Sequence, residues 1–337
     1  MLRKVLIVML LFLPAATWAA GESALPPDSL KTKVVRTAKK VDRFLLKNQQ
    51  KQNTDTDYIF KPQQKWLFRT RSDIVLNLLT FHNDHPALGI DYGVDLKAKP
   101  LFRQNIGVGY RGVILGFGIA IPFKNKDKEF SLKVYTNRAG GEVTYGQIWS
   151  LSGKLSFNES SFEVNPGAMP TQYVRVNAYY AFNWKKFSMP AAMSQSFIQR
   201  KSAGSPLATF GFRADWGTFK PAKFSNREFF VGLGGGYGYN WAPSEHWLIH
   251  ISGTETFGLF GCSRITAFNN TTKFRMRFLP LLTAANAAVI YYYKRFYVGV
   301  FGTADVLFIP TREKQTGEDL YYTMSHVTGH LTLGFRL

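Results

Sequence analysis

The sequence predicts an all-β fold: an antiparallel transmembrane β-barrel of about twelve strands (10–14 fit the pattern), preceded by a basic amphipathic helix. Three observations predict it. Apolar residues alternate with small or polar ones over many stretches, and strand side chains point to opposite faces with a period of two. After the first residues there is no apolar run of about 18 residues, so no spanning helix is encoded. The chain also closes on such a strand, over 321–337. There Val327, Gly329, Leu331, Leu333, Phe335 and Leu337 share one face, and Thr328, His330, Thr332, Gly334 and Arg336 share the other. A barrel needs a last strand of this kind to meet its first.

The chain has 337 residues and a formal net charge of +20, with 15% aromatic residues and 29 glycines. Residues 1–20 read as a secretory signal: Arg3 and Lys4, an apolar run, Pro14, then small residues at a cleavage site. Residues 21–65 are expected to form an N-terminal periplasmic segment, and 66–337 an outer-membrane barrel. Export argues against nucleic acid as a partner. The cationic excess fits outer-membrane lipids, lipopolysaccharide phosphates or a small anionic solute better. The single cysteine, Cys262, forms neither an internal disulfide nor a metal cluster.

Asp28 or Ser29 can cap a helix over about 29–50, where Leu30, Val34, Ala38, Val41 and Leu45 make one stripe among seven lysines and arginines. Such a helix can lie on an anionic membrane surface or pack on the barrel rim. Strands are expected over 66–81, where the alternation is imperfect, and over 88–97. A hairpin over 105–121 turns at Arg111-Gly112. Phe130, Leu132 and Val134 continue the outer row, followed by Val143 and Tyr145. Residues 149–170 form a long polar insertion, either an outer loop or an inward-folded segment. Val174 to Trp184 alternate, and a second long connection runs to Pro206. Ala208 to Trp216 and 229–241 follow; in the latter, Gly232, Gly234, Gly236 and Gly238 share the inner face, where something bulky can come close. The strand from Trp247 loses its alternation near Glu255, as at a bulge. Phe274, Met276 and Phe278 form an outward row broken by Pro280. Two more strands turn at Lys294-Arg295 before the closing strand. Trp184, Trp216, Trp241, Trp247 and Tyr291 suit interfacial girdles.

The alternation also assigns charges to the lumen: Lys133, Glu142, Arg175, Arg213, Asp215, Arg275, Arg277, Asp305 and Arg336. A net positive lumen of this kind can select anions or be filled by internal ion pairs. No nucleotide loop, zinc motif or nucleophile elbow is present, so neither a cofactor nor a metal is expected and no catalytic residue is assigned. The histidine pairs His246/His250 and His326/His330 are each four strand positions apart, roughly 13 Å, too far to chelate a metal alone.

Three stretches resemble an uncharacterised Bacteroidetes cell-envelope family, the DUF4421 proteins. They are Asp55-Thr-Asp-Tyr-Ile59; Val108-Gly-Tyr-Arg-Gly112 with Glu129-Phe-Ser-Leu and Tyr135-Thr-Asn-Arg-Ala-Gly140; and Lys186-Phe-Ser-Met-Pro-Ala-Ala-Met-Ser-Gln-Ser196 running into Gln199. The resemblance implies an envelope protein and supplies no catalytic residues. Within the third stretch, Gln199, Arg200, Lys201, Ser202, Gly204 and Ser205 set charges and hydroxyls beside a glycine. They can bind a phosphate or glycan, fold inward as a constriction, or pin neighbouring strands. The leading expectation is a structural barrel or narrow pore. A lipid- or glycan-active barrel enzyme and a periplasmic β-sandwich binding protein are the alternatives.

Overall fold

Every stave of the barrel pairs with two neighbours, which is how a sheet inside a membrane satisfies its backbone groups without an open edge. A computed structural model describes residues 40, 43, 53–84, 92–122, 126–157, 160–267, 270–276, 278–313 and 319–337. The expected signal at 1–20 lies outside these residues. Of the expected helix only Lys40 and Arg43 are described, both helical and exposed.

The strands are β1 (Ile59–Phe60), β2 (Trp66–Asp84), β3 (Tyr92–Ala98), β4 (Leu101–Tyr110), β5 (Val113–Ile121), β6 (Lys128–Tyr135), β7 (Ala139–Ile148), β8 (Leu151–Phe157) and β9 (Ser160–Val164). They continue as β10 (Thr171–Ala181), β11 (Ile198–Gln199), β12 (Ala203–Phe219), β13 (Phe224–Ser244), β14 (Trp247–Ala267), β15 (Asn270–Met276), β16 (Leu281–Tyr293), β17 (Phe296–Glu313) and β18 (Asp319–Arg336). One short helix, α1, spans Met189–Met193. The staves run β2, β4, β5, β6, β7, β10, β12, β13, β14, β16, β17 and β18. That makes a closed antiparallel barrel of 12 strands, which excludes the sandwich alternative. Closure is made by β18 on β2, from Arg336↔Leu67 to Asp319↔Asp84.

The period of two sorts the side chains. Phe68, Ile74, Ile106, Ile251, Val300, Leu331 and Leu333 are exposed on the outer wall. The start of β2, the end of β18 and the two-residue turns at 111–112, 245–246 and 294–295 lie at one end, called here the near end. There Arg111 and Gly112 both take positive φ, as a two-residue hairpin turn requires, and Lys294 does so at the turn into β17. Trp66 packs on Tyr110, and Trp247 on Tyr291, at this rim.

At the far end the lumen is filled with apolar side chains. Leu79, Phe81, Phe230, Leu282, Leu307 and Tyr322 from the inner wall form one cluster with Val94, Leu96, Leu151, Leu155 and Val164. The last five belong to β3, β8 and β9, a small sheet that branches from the upper half of β2. This corrects two expectations. The strand expected over 88–97 is not a stave: β3 reaches only 78–82 of β2 and has β8 on its other side, and β4 takes over from Val75 downward. The insertion at 149–170 is not simply polar, because β8 and β9 form a hairpin with one apolar face.

A third correction concerns β15. Phe274, expected outward, is buried in the far-end cluster, and Arg275, expected inward, is exposed. The reason is a bulge at Leu259, where β14 gains a residue against Val231/Gly232 of β13. Below it the even positions of β14, such as His250 and Thr256, face the lumen. Above it Ser263 and Ile265 do, and β15 inherits that reversed parity through Ser263↔Phe274. Arg277 lies outside the described residues.

Candidate functional site

The connection between β10 and β12 folds back into the near end of the barrel. Ser188 caps α1 by accepting a hydrogen bond from Ala191 N at 3.2 Å, and Pro190 sits in the first turn, where its missing N–H costs nothing. Polar groups from the wall then fix the segment. Asn240 Nδ2 donates to Ser188 O at 2.9 Å and to Gln199 Oε1 at 3.0 Å. Ser188 Oγ donates to Asn137 Oδ1 at 2.7 Å, and Tyr292 Oη to Ala191 O at 2.9 Å. Arg336 places Nε and Nη2 on Gln195 O at 3.1 and 2.8 Å. Phe187 lies over Gly238, where a Cβ would stand 2.9 Å from its ring. The glycine face of β13 therefore admits a bulky group, supplied by the chain itself.

The residues quoted from the third family-like stretch divide by environment. Gln199 is buried and holds three strands of chain together. Its Oε1 accepts from Ser188 N, while its Nε2 donates to Lys186 O at 2.6 Å, Lys201 O at 2.8 Å and Tyr58 O at 3.3 Å. Ser202 Oγ accepts from Ala242 N, and Ser205 Oγ accepts from Asn183 N. A Cβ on Gly204 would collide with the Tyr237 ring. Arg200 and Lys201 are exposed: one stacks on Phe60 at 4.5 Å, and the other meets Asp57 at 3.3 Å. Residues from all three family-like stretches meet here, because β1 pairs with β11 and Asn137 reaches Ser188.

Between the near-end segment and the far-end cluster lies a cavity of about 190 Å³ with charged walls. On one side Asp73 accepts from Arg71 at 3.0 Å, Arg103 at 3.0 Å and Asn105 at 2.8 Å. Glu129 accepts from Arg103 at 2.8 Å and Tyr173 at 2.9 Å. Arg103 on β4 crosses β5 to reach Glu129 on β6. Gly118 makes the crossing possible: it lies in register with both Asn105 and Glu129, and a Cβ there would collide with the Asn105 side chain. Lys133 pairs with Glu142 at 2.8 Å. Across the lumen, Arg213 donates to Asn177 at 2.9 Å and faces Asp305 at 3.9 Å. Asp215 is buried beside them, with Oδ1 lacking a hydrogen bond.

Arg69 and Arg175 also line this cavity, and among the described residues neither has a carboxylate within ion-pair distance. Arg175 lies 4.1 Å over the Tyr173 ring, and Arg69 lies along Gly107. Seven of the nine charges expected inward thus face the lumen; Arg275 does not, and Arg277 is outside the described residues. Arg69, Arg71, Asp73, Arg103 and Glu129 were missed by sequence reasoning. In β2 the outward Thr70 and Ser72 are polar as well. They are satisfied through Gln104, with Ser72 Oγ to Gln104 at 2.8 Å and Gln104 to Thr70 at 2.6 Å, so the alternation there carries no contrast.

Two histidines sit in relays. His250 joins Asn240 Oδ1 at 2.7 Å to Ser252 Oγ at 3.1 Å, and His326 joins Asn77 at 2.6 Å to Thr328 at 3.1 Å. The first has the order of a nucleophile relay. However, Ser252 is 4% exposed and its Oγ already accepts from Asn286. Its evident work is to orient Asn240, which holds the inward segment.

The family model described as a domain of unknown function, DUF4421, matches residues 53–336. Among solved structures, a TodX monoaromatic hydrocarbon channel mutant superposes with a TM-score of 0.35 at 7% identity, covering 82% of this chain and 91% of that one. The outer membrane protease OmpT from Escherichia coli gives 0.35 at 9% identity, covering 82% and 98%. The toluene transporter TodX of Pseudomonas putida gives 0.32 at 10% identity, covering 82% and 90%. Likenesses this remote say nothing of activity. No curated protein matches the chain.

Proposed function

The chain belongs to the DUF4421 family, whose function is unknown, and from its geometry we propose a bacterial outer-membrane barrel, closed at both ends, whose inner chamber holds a small anionic solute. The membrane part of this reading rests on the apolar outer wall, the aromatic rim and a barrel without edges. Short turns mark the periplasmic end in such barrels, so the near end faces the periplasm. Export through the leader at 1–20, and a Bacteroidetes source on the family resemblance, belong to the same proposal.

One observation carries the solute reading. Arg69 and Arg175 face the cavity without a carboxylate, although the neighbouring cations Arg71, Arg103 and Lys133 are all paired. A guanidinium kept from water is a poor filler unless something anionic meets it. Residues 182–202 close the periplasmic side, and the apolar cluster closes the other.

The test is conductance in planar bilayers. The native chain is expected to show no steady open-channel current. A variant with 187–197 replaced by a glycine-serine linker is expected to conduct with anion preference, and adding Arg69→Ala and Arg175→Ala is expected to reduce that preference. A permanently open native channel, or a linker variant that prefers cations, contradicts the reading.

A further inference from the structure

The outer wall near the far end carries an arrangement that the closed chamber does not use. Arg227 on β13, Arg264 on β14 and Lys273 on β15 are direct cross-strand partners, through Arg227↔Arg264 and Arg264↔Lys273. All three are exposed, and so is Arg275, two residues further along β15. Partners on adjacent strands lie about 5 Å apart, so the four cations occupy a patch roughly 10 Å across. Like charges placed directly opposite one another destabilise a sheet. Among the described residues none of the four makes an ion pair: Glu228 is turned inward, and Asp319 is held by Arg312 at 2.6 Å. Among the described residues the arrangement lacks an anion.

What lies beside it identifies the kind of anion. On the membrane side of the cations, Phe212, Phe229 and Phe260 form an edge-to-face ladder on adjacent strands, with centroids 5.2 and 5.7 Å apart. The bulge at Leu259 turns Leu259 and Phe260 outward together, at 62% and 55% exposure. Trp216, level with Arg227, marks the depth of the interface. Cations at headgroup depth over a widened apolar surface match a molecule with phosphate at one end and acyl chains at the other.

We propose that this face of β13, β14 and β15 binds the phosphorylated headgroup of an outer-leaflet glycolipid, with its acyl chains on the Phe229–Phe260 surface. The site rests on the outer-membrane reading and on the orientation given above. It does not depend on whether the chamber holds a solute.

The full chain is refolded into phosphatidylcholine vesicles, alone or doped with diphosphorylated lipid A, dephosphorylated lipid A or inorganic phosphate. Binding is read as the shift in its thermal unfolding midpoint. Diphosphorylated lipid A is expected to raise the midpoint and to bind at least tenfold more tightly than to the variant Arg227→Gln/Arg264→Gln/Lys273→Gln. Dephosphorylated lipid A and inorganic phosphate are expected to leave the midpoint unchanged, and Arg295→Gln at the opposite rim to bind as the native chain does. Equal binding by the triple variant, or by the dephosphorylated lipid, overturns the site while leaving the barrel intact. A shift with inorganic phosphate alone overturns the lipid as ligand. A chain that never enters the vesicles overturns the membrane reading and the site with it.

Discussion

The residue that organises the interior is Arg103. It joins two buried carboxylates, Asp73 and Glu129, and no other cation reaches both as closely. Its removal leaves the two carboxylates only the neutral donors Asn105 and Tyr173 beside Arg71, which is 3.5 Å from Glu129. Breaking a buried ion pair from one side costs about 3–5 kcal/mol, because the remaining charge stays out of water. Arg103→Met is therefore expected to lower the urea concentration at which the folded band on an unboiled gel disappears. An unchanged midpoint would mean the network contributes little. The residue was hard to see in the sequence because Leu101 and Phe102 precede it without obvious alternation. Lys133, Arg175 and Arg213 were legible because clean apolar rows flank them. Arg69 and Arg71 were hidden by the outward Thr70 and Ser72, whose mutual hydrogen bonds through Gln104 let polar groups sit on the outer wall.

At the scale of elements, the inward segment is the feature that separates this barrel from a simple pore. In the sequence it is a long connection with three open roles, because no periodicity announces a segment held by wall contacts from β13, β16 and β18. What could have pointed inward was the match between its bulky Phe187 and the glycine row of β13. Gly238→Val is expected to push Phe187 off the wall, since even a Cβ there stands 2.9 Å from the ring. The measurement is limited proteolysis of the refolded protein: new cleavage within 182–202, with the staves intact, is the expected outcome. Equal resistance in the variant and native chains would show that the segment does not depend on that contact. Strands β3 and β15 misled for a related reason. Both alternate as staves do, but β3 branches off to cover the mouth, and β15 follows the parity that the Leu259 bulge reversed.

For the whole molecule, the closure was legible from alternation, because the last stave must meet the first, and the count of twelve from alternation together with the even strand number of such barrels. What alternation does not encode is the filling. Both ends of the lumen are stopped by side chains and a segment placed through contacts distant in sequence, such as Arg336 to Gln195. The central claim, a closed membrane-spanning barrel, is tested most directly by gel migration of outer-membrane fractions solubilised in detergent, with and without boiling. The expected result is a faster band in the unboiled sample that shifts to the full-length position on boiling. A single band at the same position in both lanes, from protein released without detergent, would contradict it.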